Sequence, residues 1–425
     1  MQFGAAGQNE AVRHGQRVLW RWLRDIAVRA LCALSSVPAC ALDTGGYLRL
    51  GSGKVDDPKR TCYDLAISGG HYRLGNECDF YGEFGLAHAV SAQGATYRAM
   101  AMVNLQHPGM GDAVWSTRLE QIYVESVGLG GASDLKLWLG KRYHGRFGVH
   151  ILDTWFVRMD GAGLGADEIA VAGAKLGVAY FRTEADSGAP PEATPSARPG
   201  RRLNTDLRAV ALGEAGTLRV TTAFTRGHDD SKTGARGTSG FGLSVQHDHA
   251  WDTIRGSHTA WLQYAQGSAG LDGNFGTMTA GSHVRQWRLV ESLTWQASAL
   301  GGQVVGLFGR HGQDVASGVA ARYAELSIGG RVSYALTQHI KLVAESGYME
   351  KRPDGSGTQR LAKLTFAPTW SAGPGFWNRP ELRLYVTVAR WNDAANTGAR
   401  LDGLTGLGDG RTRGTSWGVQ LETWF

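Results

Sequence analysis

The stretch Tyr72–Phe84, YRLGNECDFYGEF, continued to Leu86, separates two kinds of side chain when it is read as extended backbone. Cys78, Phe80, Phe84 and Leu86 fall on one face, and Asp79, Tyr81, Glu83 and Gly85 on the other. An apolar row backed by aromatic and charged groups is what a strand needs when lipid wets one side and a watery lumen the other. The same division recurs along the chain. In Gly46–Gly51, Tyr47 and Arg49 oppose Leu48 and Leu50. In Glu381–Arg390, the row Leu382, Leu384, Val386, Val388 opposes Arg383, Tyr385, Thr387 and Ala389. In Ser416–Phe425, the row Trp417, Val419, Leu421 and the terminal Phe425 opposes Gly418, Gln420, Glu422 and Trp424. Phe80, Phe84, Val419 and Leu421 are therefore assigned to lipid contact.

A chain of 425 residues, 42% hydrophobic, could form two globular domains or one large barrel. The barrel accounts better for 61 glycines and for 14 Trp, 13 Tyr and 13 Phe spread over short amphipathic segments between Gly, Asn, Asp and Ser turns. Beyond residue 41 no apolar run approaches the roughly 18 residues of a membrane helix. Residues 1–41 differ: Arg13, Arg17, Arg21 and Arg24 precede a mixed stretch ending Ala39-Cys40-Ala41, which reads as a secretory signal whose apolar centre is interrupted by Asp25 and Arg29. A lipoprotein site at Val37-Pro-Ala-Cys40 is the rival reading, and its proline fits poorly. Residues 42–425 are then one barrel domain. The formal charge of +6 falls to +3 once five Arg and two acids leave with residues 1–41, so nothing points to nucleic acid. The run 184–202, with Pro190, Pro191, Pro195 and Pro199, is expected to be a long external loop that cannot pair in a sheet, and Asn392–Arg413 another.

Three blocks, taken in order, resemble the maltoporin family, the sugar-specific trimeric porins of Gram-negative outer membranes. They are Gly46 through Glu83 with its Tyr-Arg-Leu-Gly-Asn-Glu-Cys run, WLGKRYHGRFGVHILDTWF at Trp138–Phe156, and Trp377-Asn-Arg-Pro380 together with Glu422-Thr-Trp-Phe425. The resemblance implies an all-β, transmembrane antiparallel barrel of about 18 strands, a constriction loop folded inward from the second block, oligosaccharide solutes of the maltodextrin kind, outer-membrane lipid around it, a homotrimer, and no cofactor or metal. It also pairs Cys62 with Cys78 in a disulfide that pins the first hairpin, at about 3 kcal/mol in the chain-entropy model.

By motif position the resemblance carries an aromatic slide over to Tyr47, Tyr81, Trp377 and Trp424, with Trp115 as the residue lent to a neighbouring subunit. The polar track and constriction carry over to Arg49, Arg73, Glu83, Arg146, Asp153 and Trp155. Such groups suit a sugar, whose ring has an apolar CH face and a hydroxyl rim that carboxylates and guanidiniums can follow. The chain departs from the family at Gly148, where an acid is expected, at Trp155, where a tyrosine is expected, and at Ala260 or Trp261, where a mid-barrel phenylalanine is expected.

Blander or different chemistry competes at several positions. Most aromatics of a membrane barrel belong to interfacial girdles, and lumenal Arg and Glu also brace walls. His247-Asp248-His249 could offer two imidazoles to a metal but has no third ligand, so a turn or rim position is expected. Gly161-x-Gly163-x-Gly165 reads as a bend in the inward loop. An enzyme site built on His228, Asp229 and Asp230 has no motif behind it, and a general diffusion porin without sugar sites is the nearer alternative.

Overall fold

The computed structural model describes residues 42–55, 62–77, 79–107, 115–131, 134–183, 200–229, 236–278, 280–312, 322–402 and 407–425. The expected signal (1–41), the four loop prolines, Cys78 with its pairing to Cys62, and Asp230 lie outside these residues. Among the described residues, an 18-stranded sheet closes on itself where the strand Asp43–Val55 pairs antiparallel with the last strand, Arg413–Trp424. Backbone hydrogen bonds between Gly46 and Phe425 complete the seam.

Alternation explains the wall. On the strand Glu381–Trp391, Leu384 is 59% exposed and its neighbours Leu382, Val386 and Val388 are exposed with it, whereas Arg383 is fully buried with Thr387 and Ala389. On Arg413–Trp424 the outward Trp417 and Val419 are exposed and the inward Gln420 and Glu422 are buried. An exterior of unpartnered aliphatics over an interior of buried charge inverts a soluble barrel and matches a lipid-facing one. At one end the strands are joined tightly, as at 93–94, 172–173 and 252–255, and at the other by the longer connections, the arrangement in which tight turns face the periplasm and long loops the exterior.

Inside the wall lie the segments 62–77, 143–160 and 268–278. Leu65, Leu74, Ile151, Leu152 and Phe156 are wholly buried there, so the hydrophobic core sits within the barrel and not in its wall. Segment 62–77 is fastened to the wall. Lys363 Nζ donates to the carbonyls of Tyr63, Tyr72 and His71, Glu345 accepts from the Leu74 N–H at 2.7 Å, and Gln420 accepts from the Gly75 N–H at 3.2 Å. The Tyr72 ring lies in a notch where Gly329 and Gly347 have no side chain: a Cβ on either would fall 2.4 or 2.3 Å from a ring carbon.

Five expectations are corrected. The strand opened by the decisive stretch begins only at Phe80, and Tyr72–Glu77 runs through the lumen, because its backbone groups find partners on the wall. Gly161–Val171 is a strand and no bend; Gly165 faces Trp138 in the register, and a Cβ there would lie 2.7 Å from the indole, so glycine makes room for an inward aromatic. Gly200, Arg201 and Arg202 pair in the strand Gly200–Ala211, the prolines standing before it. Within Asn392–Arg413 a helix forms, Asp393–Asp402, capped by Asn392 Oδ1 accepting from the Ala395 N–H at 3.1 Å. His247–His249 likewise occupies a strand, Ser239–Trp251, beside the strand holding His258.

Candidate functional site

The lumenal sides of the first and last strands supply an aromatic row. Tyr47 is the register partner of Trp424 and lies 6.4 Å from Tyr81 between ring centroids. Trp424 continues through the edge of the His150 ring, 5.8 Å away, to Trp377, 5.4 Å from the same imidazole and 43% exposed on the connection between the strands Gln359–Ser371 and Glu381–Trp391. Arg379 stacks over Trp424 at 4.5 Å and Arg49 over Tyr81 at 5.3 Å. Four of the five expected slide residues are thus neighbours. Trp115 is not: it stands half exposed against Phe80 (4.7 Å) and His107 (5.0 Å), away from the row.

Beside the row is a dense ion network. Arg49 reaches Asp153 at 2.5 Å, Asp79 at 3.1 Å and Glu77 at 3.4 Å. Arg73 pairs with Glu77, reaches Glu422 at 3.3 Å and Asp153 at 3.6 Å, and donates to the Tyr47 hydroxyl. Glu422 also holds Arg379 (3.0 Å) and Arg383 (2.6 Å). With Arg73 at 2% and Glu422 at 0% exposure, these two support the surface and do not form it. Glu77, Glu422, Arg379 and His150 were not singled out from sequence, although alternation had already turned Glu422 inward.

The inward loop supplies the opposite side. Phe147–Val149 pairs with Thr154–Val157 around the turn His150–Leu152, and Asp153 follows it with φ 52°. Gly148 is dictated by this hairpin: a Cβ would lie 2.2 Å from the Thr154 carbonyl oxygen, so no acid fits. Arg146 is held by Asp160 (2.8 and 2.5 Å) and faces the Tyr143 and Trp155 rings. Glu83 accepts from the hydroxyls of Tyr81 (2.5 Å) and Tyr143 (2.6 Å), tying strand to loop. Trp155 is 43% exposed. On the strand Gly256–Gly267, Trp261 faces inward but is buried beneath Phe147 and Phe156, and Ala260 is not on the inner face. Phe147, itself half exposed, is the aromatic that Trp261 presents to the lumen.

His150 gives the loop a pH dependence. Burial, with Arg73 and Arg379 adding to it against the pull of Glu422, lowers its pKa to about 4 from 6.5. Between these values the unfolded loop binds a proton that the folded one refuses, so stability present above pH 6.5 is lost as pH falls toward 4, by up to about 3 kcal/mol. Open-channel noise is expected to rise from pH 7 to pH 4.5 and to stay flat in His150→Gln; equal noise at both pH values in the parent contradicts this.

Comparison with known proteins agrees with this geometry. The family model described as LamB porin matches residues 42–425. The maltoporin of Hahella chejuensis (strain KCTC 2396) is 27% identical over 417 residues, covering 94% of this chain and 96% of that protein. The maltoporin of Vibrio cholerae serotype O1 (strain El Tor Inaba N16961) is 27% identical over 439 residues, covering 94% and 98%. Among solved structures, OccAB2 of Acinetobacter baumannii aligns with TM-score 0.50 at 10% identity, covering 90% of this chain and 98% of that one. The outer membrane protein opdK of Pseudomonas aeruginosa aligns with TM-score 0.50 at 9% identity, covering 91% and 98%. The structural likeness shows the barrel fold alone; with the family match over the whole barrel, this chain belongs to the LamB porin family, the sugar porins of the Gram-negative outer membrane.

Proposed function

We propose that the chain gives maltodextrin-type oligosaccharides facilitated diffusion along the row Tyr81, Tyr47, Trp424 and Trp377, as one subunit of a homotrimer. The observation that carries this reading is the continuity of that row beside the ion network. Each ring would rest its CH face on one aromatic while Arg49, Glu83, Arg146 and Asp153 exchange hydrogen bonds with successive hydroxyls and Trp155 narrows the path. Arg73 acts beneath them as a positioning residue. The trimer rests on the family resemblance, in which the half-exposed Trp115 serves a neighbouring pore.

Aromatic contacts worth about 1 kcal/mol each hold a sugar at roughly millimolar affinity and let it hop. Ion current through the purified protein in a planar bilayer, titrated with maltose, maltotriose, longer maltodextrins and sucrose, tests this. Block is expected to saturate and to strengthen with maltodextrin length. Trp377→Ala should weaken block by the longest sugar about fivefold to tenfold. Current indifferent to every sugar overturns the reading and leaves a general diffusion channel.

A further inference from the structure

Beside the inward loop lies a cavity of about 400 Å³ that the aromatic row does not use. Its back is the barrel wall, with Gln286 and Arg288 on the strand Arg285–Ala297 and His311 near the end of the strand Leu300–Gly312. The connection between the strands Gly256–Gly267 and Arg285–Ala297 supplies Asp272 and Phe275, and the inward loop supplies Trp155. In the strand order these wall strands stand well away from the seam that carries Tyr47 and Trp424. Gly267 and Gly312, the long-loop ends of their strands, also line the cavity, so a solute entering from outside meets it on the way in.

The polar lining is fixed in place. Asp272 accepts from Arg158 Nε at 3.2 Å and from the Asn274 N–H at 3.1 Å. A Cβ on Gly270 would stand 2.9 Å from Asp272 Oδ1, so glycine leaves the carboxylate its room. Gln286 donates to the Ala269 carbonyl at 3.2 Å, Arg288 donates to Gln263 Oε1 at 2.6 Å, and His311 meets Glu325 at 2.7 Å. Groups anchored in this way lose little freedom when a ligand arrives. Trp155 is 43% exposed, and Phe275 is half-buried. Two rings offer a surface to a CH face, while a carboxylate, an amide and a guanidinium offer acceptors and donors to hydroxyls. An anion would meet Asp272 and a cation Arg288, so the lining suits a neutral ligand.

A linear chain cannot run through a cavity backed by the wall. Trp155 stands two residues from Asp153, which pairs with Arg49 beside the row, and two extended residues span at most about 7 Å. The Trp155 ring also lies 5.2 Å from the Arg146 guanidinium of the polar track. A sugar whose main chain follows the track can therefore hang a side ring in the cavity, with Trp155 common to both. We propose that the cavity is a side subsite for a single hexose branch of an oligosaccharide, stacked on Trp155 and Phe275 with its hydroxyls on Asp272 and Gln286. The inference rests on the row as the path of the main chain and adds a substrate class, branched maltodextrins over linear ones of equal main-chain length.

The test is block of ion current through the purified full-length protein in a planar bilayer by two sugars, linear maltotriose and maltotriose carrying one glucose branch on its middle ring. The branched sugar should block the parent about fivefold more tightly, the gain from one further aromatic contact. Thr277→Trp, which fills the cavity from its lining, should erase that advantage and leave block by linear maltotriose unchanged. Phe275→Ala should remove most of the advantage. A heat-modifiable gel shift establishes that each variant is folded, and if Thr277→Trp does not insert, the parent and Phe275→Ala decide between them. Block by both sugars with no preference for the branched one overturns the side subsite and leaves the row standing. An advantage that survives both variants also overturns it, by placing the branch elsewhere in the lumen. Indifference to both sugars overturns the reading of the row and this one with it.

Discussion

Arg73→Ala is expected to lower the unfolding free energy by about 3 kcal/mol and to turn a quiet open channel into a noisy one. The guanidinium is nearly fully buried, pairs with Glu77, and reaches Glu422, Asp153, His150 and the Tyr47 hydroxyl. Burial alone would discourage its charge, but Glu77, Asp153 and Glu422 more than offset that and hold it ionised. Removing it strands the buried carboxylates of Glu77 and Glu422, and breaking a buried ion pair from one side costs about 3–5 kcal/mol. The lower end applies because Glu422 keeps Arg379 and Arg383, and Glu77 keeps Arg49 and Gln420. Arg73→Lys should fall between the two, since an ammonium cannot serve acceptors on several sides as a fork does. Guanidinium chloride midpoints and open-channel noise check the prediction together. Parent-like values of both in Arg73→Ala would mean that Arg379 and Arg383 carry the network without it.

What alternation could reveal was the wall, because one face of each strand answers to lipid everywhere along its length. Leu382 through Val388 obey that rule residue by residue, and on the last strand Trp417 and Val419 face out while Gln420 and Glu422 are buried. The interior was legible only through resemblance, since no local period marks a segment that crosses a lumen. Tyr72 and Leu74 alternate with Arg73 just as a strand would, and only the distant Gly329, Gly347, Glu345 and Lys363 make them a docked segment instead. Composition misled at Gly161–Gly165 and at Asp393–Asp402 for a related reason. Glycines near Trp138 relieve crowding between neighbouring strands, and the Asn392 cap offsets the poor helix propensity of Asn396, Thr397 and Gly398. Trp115 marks the other limit: only the motif match singled it out, and in the structure it packs on Phe80 and His107 rather than joining the row.

Gly347→Leu is the second large effect expected, because it fills the notch that seats segment 62–77. A Cβ at 347 would stand 2.3 Å from Tyr72 Cδ2, and the opposite wall of the notch, Gly329, offers no room for the ring to move, since it already lies as close. The Tyr72 hydroxyl is also held, 2.9 Å from Ser327 Oγ. Leucine therefore evicts the ring, and eviction pulls the carbonyl of Tyr72 from Lys363 and the N–H of Leu74 from Glu345. Overpacking of this kind costs about 1–3 kcal/mol, and here the strain is relieved by moving a lumenal segment rather than the wall, so unit conductance should rise while the barrel stays assembled. Tyr72→Ala with Gly347→Leu separates the causes. With the ring gone the leucine fits, Lys363 and Glu345 regain their backbone partners, and conductance should return most of the way toward the parent value, a coupling between the two sites that additive changes cannot produce. A double variant that conducts no less than Gly347→Leu alone would show that the notch does not hold the segment.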